Sequence, residues 1–548
     1  MPRTSYSPQQ RSAISVQMPA PYQGLNTIDP LQAMDPSYGL SIQNFVATNQ
    51  GLSVRQGFRK WATGLPGSVT SLIPYHARNS VQSKLFAVSN GGIYDVTNGG
   101  VVGAPVVSGL NAANAYWQSV VQSYTNATTG TLVTVNGVDM PRFYDGTSWG
   151  TCSQVASPAG VGQFAQVDNN GNPVNISAFV DVLLHQERLW FVSINSTKAY
   201  YCDIAQVGGA LYAFDFGPFF PAGGKLFKLA TWTMDSGGSS GTQAMLVAMS
   251  DKGDVAVYQG TSPSSASTWG LVGTYKIGSP VGRRCTTQYE GDLLVLTQDG
   301  LYPMSRYLQS ARVETTDSFT YKIAPTVSNL VAALANTPGF EAAVYPGANV
   351  MLLNVPQSQQ TNNFQFCFHT ITKGWTQFTG WPAQCFGLFN DAFYFGGTDF
   401  VALAFIGFQD GADINGSAGN SIVATAMTAF SSFSDTFGQG VVKHVKMIQP
   451  FIVTGVANPS IQVGVNTDFN LTPIVGSATV NPGGAVWDSA KWDDPNATWV
   501  GSLTTRNRWT GAASYPGTYV AVTLSVSAQT DTLWSGTSLM MTPGGPFA

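Results

Sequence analysis

Charge is scarce in this chain: only 10% of its 548 residues are Asp, Glu, Lys or Arg. Surface helices are usually built on Glu and Lys, so this shortage argues against a mainly helical protein. The formal net charge of -4 provides no basic footprint for neutralising phosphates, which excludes stable nucleic-acid binding but leaves a surface along which DNA can slide. Histidine is rare too. His76, His185, His369 and His444 stand far apart, and none forms a metal motif of the H-E-x-x-H kind. The five cysteines, Cys152, Cys202, Cys285, Cys367 and Cys385, are odd in number and contain no C-x-x-C pair, so neither a zinc site nor a disulfide framework is expected. They read as buried thiols of a protein assembled in a reducing cytoplasm. No apolar run is long enough to cross a bilayer, and the polar start MPRTSYSPQQRSAISVQMPAPYQG has no hydrophobic leader region. A soluble chain made without secretion is expected.

What the chain has in quantity is glycine (59), proline (30) and aromatic residues (12%), the composition of many strands joined by tight turns. One phrase recurs: an apolar strand, a Gly- or Asn-containing turn, and a second strand carrying Tyr or Phe. It appears as KLFAVSNGGIYDVT from Lys84, TLVTVNGVDMPRFYDGTSW from Thr131, RLWFVSINSTKAYYCDI from Arg188, MLVAMSDKGDVAVYQG from Met245, LLVLTQDGLYPMSRYL from Leu293 and AFYFGGTDFVALAF from Ala392. The spacing is roughly 40 to 60 residues up to Leu293, which is the length of one propeller blade. The following gap is about double, as if the less regular VMLLNVPQ from Val350 filled it. An all-β fold follows, with a β-propeller core of six or seven blades.

Three segments are expected. Residues 1 to 67 comprise an arm, flexible or docked on a partner up to about residue 24, and lead-in strands. Residues 68 to 408 form the propeller. Within it, 323 to 336 is the best helix candidate, with Val327, Leu330, Val331 and Leu334 at helical spacing. QDGADINGSAGNS, at 409 to 421, is a cluster of turn formers that marks a boundary. Residues 409 to 548 then read as a separate β-sandwich-like domain for docking, with strands in VVKHVKMIQPFIVTG, IQVGVNTDF and GTYVAVTLSVSA.

No motif specifies chemistry. Gly146-Thr147-Ser148-Trp149-Gly150 matches G-x-S-x-G, yet it follows a strand and precedes no helix, so a hairpin turn is expected. His185 and Glu187 read as a strand polar pair. Asp251 with Asp254, or Asp493 with Asp494, could be nominated as acid/base pairs only arbitrarily. Asp168-Asn169-Asn170-Gly171-Asn172 lacks the distal Glu of a calcium loop and reads as a turn. Trp487, Trp492 and Trp499 offer either an aromatic platform for sugar or ordinary packing. Arg283 and Arg284 would point to opposite faces of a strand, pairing with Glu290 or Asp292 or else lining a DNA channel. No catalytic, cofactor-binding or metal residue is assigned, no cofactor is expected, and the chain is read as not an enzyme.

Several long phrases together resemble the tail nozzle, or tail tubular, proteins of short-tailed bacteriophages. They are GLNTIDPLQAMDPSYGLSIQNFVATNQGLSVRQGFRKWATGLPGSVTSLIPY from Gly24, KLFAVSNGGIYDVT, GDVAVYQGTSPSSASTWGLVGTYKIGSPVGRRC, GWTQFTGWPAQCFGLFNDAFYFGG and VWDSAKWD. The resemblance runs from about Gly24 to the last residues. It implies a structural virion protein of the tail, assembled in the host bacterial cytoplasm. Six copies would form a ring below the head-to-tail adaptor, with genomic DNA passing the lumen without specific binding and luminal loops gating ejection. Contacts with tail fibres are implied less firmly, because this chain is shorter than the largest members. The competing expectation is a propeller-type tailspike, a lectin or depolymerase acting on host surface polysaccharide.

Overall fold

The computed structural model describes residues 13–114, 116–123, 129–235, 242–309, 315–357, 363–414, 416–455, 459–472, 478–480, 504–506, 508–512 and 514–544. Seven antiparallel blades follow one another between Val69 and Ala404. Their innermost strands are Val69–Tyr75, Gln118–Gln122, Phe179–His185, Leu226–Asp235, Thr286–Tyr289, Glu341–Tyr345 and Cys385–Phe389. Each blade packs on the next, and the seventh returns to the first, so the ring closes. Blades 1 and 5 have three ladder strands, and blade 3 gains two outer ones, Ser153–Val155 and Gln163–Asp168.

The recurring phrase of the sequence is the second and third strand of a blade. Lys84–Ser89 with Gly92–Asp95 is the simplest case: Asn90 and Gly91 take φ of +43° and +77°, the left-handed pair that a two-residue hairpin of matching twist requires. VMLLNVPQ supplies the second strand of blade 6, Val350–Val355, and so fills the double gap. The helix Ala324–Leu334 lies between blades 5 and 6 and buries Val327 and Val331.

Closure is made from the front of the chain. Phe58–Thr63 pairs antiparallel with Phe400–Ala404 and becomes the fourth strand of blade 7. A ring closed by a strand distant in sequence cannot open at its seam without losing that ladder.

The β-sandwich is present, but it is not a separate unit of residues 409–548. One of its sheets runs Gly39–Gln43, Asn420–Thr428, Val520–Ala528, Ser460–Thr467. The other centres on Thr532–Pro543, flanked by Lys443–Thr454 on one side and by Ile14–Pro19 and Gly51–Val54 on the other. Both ends of the chain therefore build it. Residues 14 to 19, expected within a free arm, alternate exposed and buried positions, with Val16 and Met18 in the core; the run ISVQMP is too short for its period of two to stand out.

The turn-rich 409 to 421 segment is structural as well. Gln409–Asp413 pairs parallel with Phe58–Thr63, and Gln409 and Asp410 pair with Ser421 and Asn420. Its turn formers serve a hairpin rather than a linker. The sandwich core runs without a break into blades 5 and 6, with Ile422, Leu524, Trp534, Phe368 and Trp375 in one apolar cluster.

Candidate functional site at the propeller axis

Side chains and backbone from all seven innermost strands, or the residues leading into them, meet at one level around the axis. Arg284, from the approach to blade 5, reaches across it. Its guanidinium donates to Glu341 Oε2 at 3.2 Å in blade 6, to Thr70 O at 3.3 Å and Ser71 Oγ at 2.9 Å in blade 1, and to Trp117 O at 3.2 Å beside blade 2. Glu341 Oε2 also accepts from the Phe386 amide of blade 7 at 3.1 Å. Burial pushes the Glu341 carboxyl up in spite of the arginine beside it. Blades 3 and 4 contribute Asp181 and Lys228, paired at 2.9 Å, with Asp181 1% exposed. Arg283 donates to Phe227 O and lies 4.4 Å from the centre of the Phe227 ring.

The arginine pair thus departs from expectation in one respect. Both residues precede the strand Thr286–Tyr289, so cross-strand pairing with Glu290 or Asp292 does not arise, and Asp292 instead accepts from Ser305. A guanidinium bound to three other blades fills the axis of one propeller, and no duplex can pass along it. Blade-to-blade contacts that strong also fix the register of the ring.

The remaining candidates are held by local partners. Ser148 sits at an exposed hairpin tip, where Asp145 Oδ1 accepts the Thr147 and Ser148 amides, each at 2.8 Å, and Ser148 Oγ donates to Asp145 Oδ2. Asp168 Oδ1 accepts the amides of Asn170 and Asn172, both at 2.9 Å, which is the arrangement of a turn. Asp251 accepts the Lys225 amide, and Asp254 pairs with Lys276 at 3.1 Å. Trp487, Trp492, Trp499, Asp493 and Asp494 lie outside the described residues. Among the described residues no three His, Cys, Asp or Glu side chains gather as a metal group. All five cysteines are buried and free, and burial pushes the thiols of Cys152, Cys202 and Cys385 up to about 12.

His185 and Glu187 are not a pair. Glu187 lies in the turn after the innermost strand of blade 3, while His185 is 2% exposed, with Nδ1 at 3.1 Å from Thr231 Oγ1 of blade 4. Its Nε2 is buried with no hydrogen-bond partner among the described residues. Burial lowers its pKa from 6.5 to about 4. Between these values the unfolded chain binds a proton that the folded chain refuses. The stability this contributes is therefore full above pH 6.5 and is lost as the pH falls towards 4, by roughly 3 kcal/mol. Chemical denaturation between pH 7 and 4 should show this slope, and His185→Gln should flatten it; an unchanged slope in the variant would rule out His185 as its source.

Two joints outside the axis unite propeller and sandwich. At one, Gly24, with φ of +86°, lies so close to the blade 6 backbone that a Cβ would stand 2.5 Å from Trp375 N. At the other, Arg55 is fully buried and forms a two-pronged pair with Asp410, at 2.8 and 2.5 Å. Neither joint was identified from the sequence; SVRQG and FQDG carry no motif that pairs them. No family profile matches the chain, and no curated protein matches it. Among solved structures it is similar to "YCF48 bound to D1 peptide", with a TM-score of 0.34 and 12% identity over 67% of this chain and 98% of that one. It is similar also to YCF48 from Cyanidioschyzon merolae (0.33, 11%, 64% and 98%) and to Chaetomium thermophilum Raptor (0.36, 10%, 64% and 30%).

Proposed function

We propose that this chain is a structural subunit of the tail nozzle of a short-tailed bacteriophage, closing into a ring with copies of itself. The observation that carries the reading is where its resemblance phrases fall. The phrase opening at Gly24 and the phrase GWTQFTGWPAQC meet in space: the Leu25 amide donates to Trp375 O at 2.7 Å, and Arg55 donates to Thr379 O at 2.7 Å. VGRRC supplies the axial arginines. The similarity therefore lies in the joints that hold propeller to sandwich, which is where an architecture shared by a family is expected to leave its mark. Because the propeller axis is filled by side chains, a DNA conduit would have to run between subunits. A surface with few charges suits that wall, since it does not grip phosphate.

In this reading the sandwich built from both chain ends docks on the adaptor, and propeller loops face the distal end. The test is negative-stain imaging of the purified chain, alone and with a candidate adaptor. Sixfold rings are expected. Compact monomers under both conditions would overturn the assignment. The second reading, glycan binding by a tailspike, draws on a cleft of about 580 Å³ lined by Tyr302, Tyr307, Tyr321 and Asp299, since tyrosine faces beside a carboxylate suit sugar rings. It predicts monomers or trimers that bind host polysaccharide.

A further inference from the structure

The cations at the propeller axis are not all bonded to a carboxylate. Lys228, Arg283 and Arg284 bring three positive charges to this level, and Asp181 and Glu341 bring two negative ones. Lys228 is matched by Asp181 and Arg284 by Glu341, which leaves Arg283 without a bonded carboxylate. Its one recorded bond is from Nη1 to Phe227 O, and Nε and Nη2 have no acceptor among the described residues. The carboxylate of Asp251 adds a third negative charge near Arg283, but it makes no bond to the guanidinium, and its Oδ1 accepts the Lys225 amide at 2.9 Å. A partly buried cation with a free edge attracts an anion.

Arg283 lines a pocket of about 400 Å³. It is lined by Phe227, Phe340, Pro338 and Ala335 together with the polar Arg283, Arg284 and Gln118. We propose that this pocket is a socket for one carboxylate borne on an apolar group, gripped by the free edge of Arg283 while Phe227 and Phe340 enclose its apolar part. A planar carboxylate matches the guanidinium fork and supplies the bonded counter-charge that Arg283 lacks. Phosphate would bring a second charge and press further oxygens against Phe227, Phe340 and Pro338, at a desolvation cost. The carboxylate can come from a free small acid or from an acidic side chain of a partner polypeptide. The proposal stands apart from the nozzle reading, because it needs only the isolated propeller axis.

Titration calorimetry on the purified full chain tests it, with benzoate, a blocked Leu-Asp-Leu peptide, its Leu-Asn-Leu counterpart and inorganic phosphate as probes. Saturable binding is expected for a carboxylate probe, with the Asn peptide and phosphate weaker by at least about tenfold. Binding by benzoate identifies a free acid as sufficient, whereas binding by the Asp peptide alone identifies a partner segment. Arg283→Gln should weaken binding by at least about tenfold. Ala335→Trp keeps the guanidinium but fills the pocket and should do the same, which secures the test if Arg283→Gln fails to fold. The proposal is overturned if neither carboxylate saturates at millimolar concentration, if phosphate binds as tightly, or if the folded variants bind like the parent chain.

Discussion

Replacing Arg55 by alanine should lower the stability of the folded chain by about 3 to 5 kcal/mol, the usual effect of removing one partner from a buried ion pair. The guanidinium is fully buried and Asp410 is 15% exposed, so the abandoned carboxylate would have little water to turn to. More than the pair is lost. Arg55 Nε donates to Asn44 Oδ1 at 2.9 Å, Nη2 donates to Thr379 O, and the cation lies 5.2 Å from the Trp381 ring and 5.6 Å from that of Phe378. Asn44 is itself a hub, donating to Val423 O at 2.8 Å and Thr379 Oγ1 at 2.9 Å. The arginine therefore joins blade 6, the sandwich strand Asn420–Thr428 and the 409 to 421 hairpin that pairs with blade 7's closing strand Phe58–Thr63. Guanidinium unfolding followed by tryptophan fluorescence checks the expectation. The variant should unfold at a clearly lower midpoint, and Asp410→Asn, which leaves the cation buried without its charge partner, should follow it. A change below about 1 kcal/mol in Arg55→Ala would show that the joint is stabilised elsewhere.

The propeller could be read because its signal is repeated. Each blade spends two strands on the same apolar alternation around a turn, and six copies of one weak pattern outweigh the ambiguity of any single strand. The sandwich strands Lys443–Thr454, Ser460–Thr467 and Val520–Ala528 were legible for the same reason of length and alternation. The return of the chain's front was not. Phe58–Thr63 reads FRKWAT, which alternates no better than a loop, and its place in blade 7 is fixed by a partner some 340 residues away. The same limit hid the axial site. Arg284 and Glu341 become neighbours only because two innermost strands begin at the same level, and Thr70, Ser71 and Trp117 join them for a reason that belongs to the ring rather than to local spacing. The 409 to 421 segment misled in the opposite direction. Gly, Asn and Asp mark turns wherever they cluster, but the turn here lies inside a hairpin that the sheet has captured.

Removing residues 1 to 20 should destabilise the sandwich by about 3 to 6 kcal/mol, because it strips the strand Ile14–Pro19 from the flank of Thr532–Pro543. The figure follows from two side chains, Val16 at 8% and Met18 at 1% exposure, each worth about 1.5 to 3 kcal/mol when buried. Their loss uncovers the ladder from Ile14↔Met541 to Pro19↔Gly536, and Thr428 Oγ1 loses its contact with Met18 Sδ at 3.0 Å. A long strand with an exposed apolar edge pairs readily with other chains, so the truncated protein should also aggregate. This bears on the arm as a docking element. If the nozzle proposal holds, a failure of tail assembly after removal of residues 1 to 20 would report a damaged sandwich as readily as a missing contact with the adaptor. Removal of residues 1 to 12 leaves all of these contacts in place, so it is the variant that isolates the arm. Thermal unfolding of the two truncations beside the full chain separates the effects: the shorter deletion should melt with the parent, and the longer one well below it. Equal melting of all three would mean that the sandwich stands without its opening strand, and the proposed docking role would then be tested by counting complete tails.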